Sequence, residues 1–104
     1  MHRQTKATSI PPAVKKEVWQ RDFCRCVLCH SINAGPHCHF LRRSQGGLGI
    51  PENIWTGCQT CHEAFDSEAT DGPLHEHMRN YFRTLYPDWD ENNLKYRKDG
   101  PSIK

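Results

Sequence analysis

The alternation of apolar and polar positions is clearest toward the C-terminal end of the chain. In LHEHMRNYFRTLYP, Leu74, Met78, Tyr81, Phe82 and Leu85 recur at helical spacing and Pro87 stops the run, which predicts a helix. IPPAVKKEVWQRDF predicts a shorter one. Ser9 is a candidate cap, Pro11 and Pro12 suit a first turn, and Val14 and Val18 lie four apart on one face. Between these helices the pattern shortens. CRCVLCHS reads as a tight cysteine-bearing turn, HCHFL as a strand, and RRSQGGLGIPEN as a loop whose SQGG and LGIP stop regular structure. NIWTGC is short and apolar, and CQTCHEAFD starts another helix before SEATDGP, residues 67–73, breaks it. Residues 1–9 read as a flexible basic arm. The tail DWDENNLKYRKDGPSIK is polar, with Trp89, Leu94 and Tyr96 as the positions able to pin it to the body. No repeat or low-complexity segment interrupts this order.

Composition changes the picture in one respect. A chain of 104 residues suggests one domain, and 36% hydrophobic content is thin for a core. Small domains with thin cores usually need disulfides, a metal or a partner. Six cysteines, Cys24, Cys26, Cys29, Cys38, Cys58 and Cys61, are the obvious material. The N-terminus is polar and basic without an apolar stretch of the signal-peptide kind, and no apolar run approaches membrane-spanning length. The expectation is a cytoplasmic protein with no membrane partner, where paired cysteines hold metal more often than they form disulfides. Charge is uneven. Residues 1–47 carry eight Lys/Arg and two acids, residues 48–104 six and ten. The basic half suggests a polyanionic partner, although solubility alone also accounts for it.

Cys26/Cys29 and Cys58/Cys61 form two CxxC pairs separated by a hairpin-sized insert. Each pair offers two sulfurs from one turn, and four thiolates complete the tetrahedron that zinc takes. Such a closed site has no open position, so this zinc would be structural. The alternatives are buried free thiols, or Cys24 as a ligand in place of one of the four, although the 26/29 spacing matches better.

The insert and the second pair bring further chemistry. His39 sits in HCHFLRRSQGG, Asn53 follows 14 residues later in PEN, and His62 comes directly after Cys61. A metal staple could hold a strand histidine and a helix histidine facing each other, as general-base chemistry requires. This order resembles the HNH endonuclease family. The matching residues run from Val18-Trp19-Gln20-Arg21-Asp22 through the first CxxC, His39, Arg43, Gly46-Gly47, Glu52-Asn53 and Cys58-x-x-Cys61-His62, covering about half the chain. The resemblance implies an α+β fold, a small zinc-stapled ββα-metal domain with an N-terminal and a C-terminal helix. The nuclease core would span 10–66, with residues 67–104 packed on it as helix and tail.

The same resemblance implies roles. His39 would be the general base, Asn53 would orient its ring or brace its loop, and His62 would ligate a catalytic divalent metal (Mg²⁺, Mn²⁺, Ni²⁺ or Zn²⁺) doing Lewis-acid work. Arg43, with Arg42, would hold a DNA phosphate. The chain's size, and the single helix and polar tail after the motif, also resemble small phage-type members. That implies a bacterial host cell, with the genome-packaging (terminase) machinery as partner, or else restriction or mobile-element homing.

Three positions depart from the family. Cys38 stands where a metal-ligating Asp or His is common. It is either a ligand or a small buried residue, and the second is the reading taken here. Asp66, four residues after His62 and on the same helical face, supplies a substitute ligand. Arg42 replaces the usual proline three residues after the base. His37 would share a strand face with His39 while Cys38 points away; it reads as ordinary surface with a second polar contact as the alternative. His30 is taken as a turn residue, and His75 and His77 as helix-surface residues.

The leading expectation is therefore a metal-dependent nuclease hydrolysing DNA phosphodiesters. A non-catalytic zinc DNA-binding module and a zinc-stapled protein-interaction domain are the alternatives. Arg42 and Arg43 favour the first two, and the His39/Asn53/His62 set favours the first. One small domain cuts one strand at a time, so double-strand cleavage would call for a homodimer or two events.

Overall fold

The computed structural model describes residues 3–96, and side chains over 6–96. The first two residues of the expected arm and residues 97–104 of the expected tail lie outside them. Four α-helices occur in the order α1 (Arg3–Thr8), α2 (Pro12–Arg21), α3 (Gln59–Ser67) and α4 (Pro73–Leu85). Strands β1 (Gly35–His39) and β2 (Ile54–Gly57) lie between α2 and α3 and pair antiparallel. The fold is a small α+β arrangement, and no helix among the described residues is long and apolar enough to cross a membrane.

The helices start and stop for local reasons. Pro12 opens α2 with Pro11 as its cap residue, and the Pro11 carbonyl accepts from Val14 N (3.0 Å) and Lys15 N (3.1 Å). Ser9, the expected cap, lies two residues too early. In α4, His75, Met78 and Phe82 form the buried stripe. The helix ends where Tyr86, held extended ahead of Pro87, leaves helical geometry. His75 is thereby corrected from surface to interior. It is 5% exposed, its Nδ1 stands 2.9 Å from Glu68 Oε1, and its ring stacks on Phe65 at 3.8 Å. Glu68, from the turn before the helix, satisfies the imidazole that the stripe buries.

The first segment is corrected too. The flexible arm expected over 1–9 is a helix over Arg3–Thr8, and Thr8 is 1% exposed. Gly49 makes this docking possible. Its N–H donates to the Ala7 carbonyl at 3.0 Å, and a Cβ on it would stand 2.0 Å from the Ser9 carbonyl oxygen.

The core lies under the hairpin. Cys38, Phe40, Trp55, Phe65, Met78, Phe82 and Leu94 form one cluster, with Trp89 stacked on Phe82 at 5.5 Å. Trp89 Nε1 donates to the Glu52 carbonyl at 2.8 Å, so Trp89 and Leu94 do pin the tail segment. A polar hub joins the layers. Buried Asp22 accepts from Arg21 Nε (2.8 Å), Thr56 N (2.9 Å) and Tyr81 Oη (2.5 Å), while Arg21 also donates to the Pro51 and Ile54 carbonyls. These bonds tie the end of α2 to β2 and α4. They fix the frame from which the hairpin presents its outer face.

Candidate functional site

Two constellations draw on α3, which contributes residues to both. The first is the four-cysteine cluster. The ligand atoms of Cys26, Cys29, Cys58 and Cys61 all lie within 4.8 Å of one another, and Cys29 Sγ stands 3.5 Å from Cys58 Sγ. Zinc–sulfur bonds of ~2.3 Å in a tetrahedron separate the sulfurs by about 3.8 Å, so the set fits a zinc ion. The backbone prepares it. Cys29 N points at Cys26 Sγ (3.5 Å) and Cys61 N at Cys58 Sγ (3.4 Å), the latter also capping α3. Burial pushes the Cys26 thiol up, but backbone N–H groups of Cys29, Cys58 and Leu28 outweigh it and bring the thiol down to about 7. Cys24 is exposed and outside the group.

The second is an open cleft of about 630 Å³ lined by, among others, His37, His39, Arg42, Arg43, His62 and Asp66. Strand β1 contributes His39, α3 contributes His62 and Asp66, and the loop between the strands contributes the arginines. His62 Nε2 meets Asp66 Oδ2 at 3.1 Å across one helical turn. That is an ordinary imidazole–carboxylate contact, and it is also close to the roughly 3.0 Å between cis ligands of an octahedral cation bound at ~2.1 Å.

His39 is half-buried, and its Nε2 lies 3.0 Å from the Thr8 carbonyl. The carbonyl can only accept, so Nε2 carries the proton and Nδ1 is the basic nitrogen. Burial pushes the pKa of His39 below 6.5, with the positive charges of Arg43 and His62 acting the same way, while the Thr8 carbonyl and Asp66 pull it up. His39 is therefore neutral at pH 7.

Asn53 does not line the cleft. It is fully buried beneath the loop, where its Oδ1 accepts from Leu41 N (2.8 Å) and its Nδ2 donates to the Leu48 (2.8 Å) and Leu41 (3.2 Å) carbonyls. Of the two roles expected for it, this geometry is that of the loop brace. Asn53→Asp keeps one of these bonds and faces two carbonyls with a carboxylate. The expected result is a loss of about 2 kcal/mol of stability, read from urea denaturation.

Cys38 is also absent from the cleft wall. The alternation of β1 turns it into the core, 0% exposed and opposite Trp55, and burial pushes its thiol up to about 12. Of the two readings of Cys38, ligand or small buried residue, it is the second, the one favoured, that the structure matches. The arginines line the cleft but already hold protein groups. Arg42 Nη2 donates to the Asp66 carbonyl, and Arg43 donates to Thr8 Oγ1 (3.2 Å) and Ser9 Oγ (3.1 Å).

Thr8, Ser9, Ile10, Lys15 and Ser44 complete the wall, and nothing in the sequence marks them as cleft residues. Lys15 sits in an exposed Lys-Lys pair, and which lysine faces a cleft depends on how α2 docks. Nothing local in RQTKATS announces that its backbone meets a histidine 31 residues away. No protein-family model matches the chain, and no curated protein or solved structure does.

Proposed function

We propose that the chain is a metal-dependent DNA endonuclease of the HNH type, with the four-cysteine cluster holding structural zinc and the cleft hydrolysing a phosphodiester. One observation carries the reading. A neutral histidine, fixed by a carbonyl through one nitrogen, faces the same cleft as a His/Asp pair at cation spacing and three basic side chains, Lys15, Arg42 and Arg43.

Each group then has a defined job. His39 takes a proton from water at Nδ1, because Nε2 is already committed to Thr8. The Thr8 carbonyl keeps that tautomer and stabilises the imidazolium as it forms. His62 and Asp66 are the residues that would hold the divalent ion, which when bound supplies Lewis-acid stabilisation of phosphate charge. Arg42, Arg43 and Lys15 draw the DNA backbone toward His39. Asn53 keeps the arginine loop at a fixed height above the strands. With one such cleft per chain, the expected product on duplex DNA is a nick.

The second reading, a zinc-stapled DNA-binding module without chemistry, is favoured by the arginines' existing hydrogen bonds. These leave them positioned as fixed charges on the surface. One assay separates the two. Zinc-loaded protein is incubated with supercoiled plasmid and Mg²⁺, Mn²⁺, Ni²⁺ or no added ion. The nuclease reading expects relaxed circles with at least one added ion and none without; retarded but intact plasmid in every lane supports the binding module and defeats the nuclease. Adding ions avoids chelators, which would strip the structural site and imitate loss of catalysis.

A further inference from the structure

We infer that His37 is a third protein ligand of the divalent ion at the cleft, so that His37, His62 and Asp66 form a two-histidine, one-carboxylate set in place of a ligand at position 38. The inference rests on the nuclease reading of the same cleft and gives its metal site a composition.

Strand β1 does not pair regularly with β2. Gly35 is opposite Gly57 and Cys38 opposite Trp55, so β1 holds one extra residue between Gly35 and Cys38. Such a bulge bends a strand and re-aims the side chains beside it. Ordinary strand alternation then leaves Cys38 in the core while His37 and His39 both reach the cleft. The His37 ring stands edge-on to His62, centroids 6.3 Å apart at 78°.

Gly35 gives the ring its room. A Cβ at that position would lie 2.6 Å from His37 Cδ2 and 2.8 Å from its Nε2, so only glycine lets the imidazole lie back along the strand. Two imidazoles bound to one ion at ~2.1 Å have centroids about 5 Å apart. His37, His62 and Asp66 do not stand as a preformed cluster, and the exposed His37 side chain closes on the ion by rotation about its own bonds.

The ligand chemistry is also suited to the position. Two imidazoles and a carboxylate favour borderline ions such as Ni²⁺ or Zn²⁺ over Mg²⁺, since each added nitrogen strengthens binding along the divalent series. The set leaves part of the coordination shell to water and phosphate. Buried Cys38 then has no function to perform beyond filling the core, and its thiol does not compete for the ion.

The test is a titration of the zinc-loaded, full-length protein with NiCl₂ by calorimetry, comparing wild type with His37→Ala, Gly35→Ala and His62→Ala. Zinc retention and circular dichroism serve as fold controls. The inference expects His37→Ala to weaken Ni²⁺ about tenfold or more. Gly35→Ala closes the place where the ring rests against the strand and not its path to His62, so it should weaken Ni²⁺ far less than His37→Ala does. His62→Ala should be at least as damaging as His37→Ala. If His37→Ala binds Ni²⁺ as wild type does while His62→Ala does not, the third ligand is overturned and the nuclease reading stands. If neither substitution changes Ni²⁺ binding, the ion is not held at this cleft and both readings fall.

Discussion

Cys58→Ser is expected to leave the chain unfolded at 25 °C, and removal of zinc from the wild type is expected to do the same. Structural zinc in small domains contributes roughly 10–16 kcal/mol of apparent binding energy, against a total stability of about 5–15 kcal/mol for a typical domain. This core cannot cover such a loss. Among the described residues it has ten buried hydrophobics, two of them cysteines, and four of the others are aromatics, Phe40 just after β1 and Trp55, Phe65 and Phe82 in β2, α3 and α4. The cluster also joins the Cys26–Cys29 turn to the start of α3. Serine sharpens the test. Cys58 is the cap residue of α3, accepting from Cys61 N, and serine is among the best helix caps. Local helix preference therefore improves in the variant while a metal ligand is lost. Collapse of the far-UV dichroism, with release of one zinc per chain to a colorimetric chelator in the wild type, is the expected outcome. A variant that unfolds in urea with an unchanged midpoint would mean that the four cysteines are free thiols and that the hairpin stands without metal.

Much of this fold is written locally. The stripe Met78–Phe82, the Pro11–Pro12 start and the two CxxC pairs are short-range patterns, and the corresponding helices and cluster appear where those patterns lie. The His62/Asp66 pair was legible for the same reason, since a spacing of four residues in a helix brings side chains together regardless of what surrounds them. The misreadings all depend on partners far away in sequence. His75 looks like a surface histidine in HEH until Glu68 and Phe65 are brought against it. Thr8 looks like part of a solvated arm until Gly49 admits its backbone and His39 and Arg43 bond to it. The β1 bulge is invisible in GPHCH, because only the register against β2 shows that a residue is extra. In each case local chemistry allowed two environments, and tertiary contact chose between them.

His39→Ala is expected to lower plasmid nicking by about 10²–10⁴-fold, the usual share of a positioned general base, with zinc content and dichroism unchanged. His39→Gln should fall as far, and it removes an ambiguity. Glutamine can still donate to the Thr8 carbonyl, so the contact that docks α1 is kept while the basic nitrogen is lost. Because the cleft is open and about 630 Å³ in volume, free imidazole should restore part of the activity of His39→Ala and none to the wild type.

The pH dependence follows from the environment of His39. Burial, with the charge of Arg43, holds its pKa below 6.5, and the reaction needs it neutral. Wild-type nicking should therefore stay level as the pH falls through 6.5 and decline only below it, about tenfold per unit once protonation sets in. Stability moves in the same direction. The unfolded chain takes up the proton first, near pH 6.5, so folding loses stability between that value and the lower folded one, and dichroism must be followed at each pH to separate the two effects. Nicking by His39→Ala within threefold of wild type at pH 7.5 would remove His39 from the chemistry. The cutting would then have to be assigned to a base other than His39.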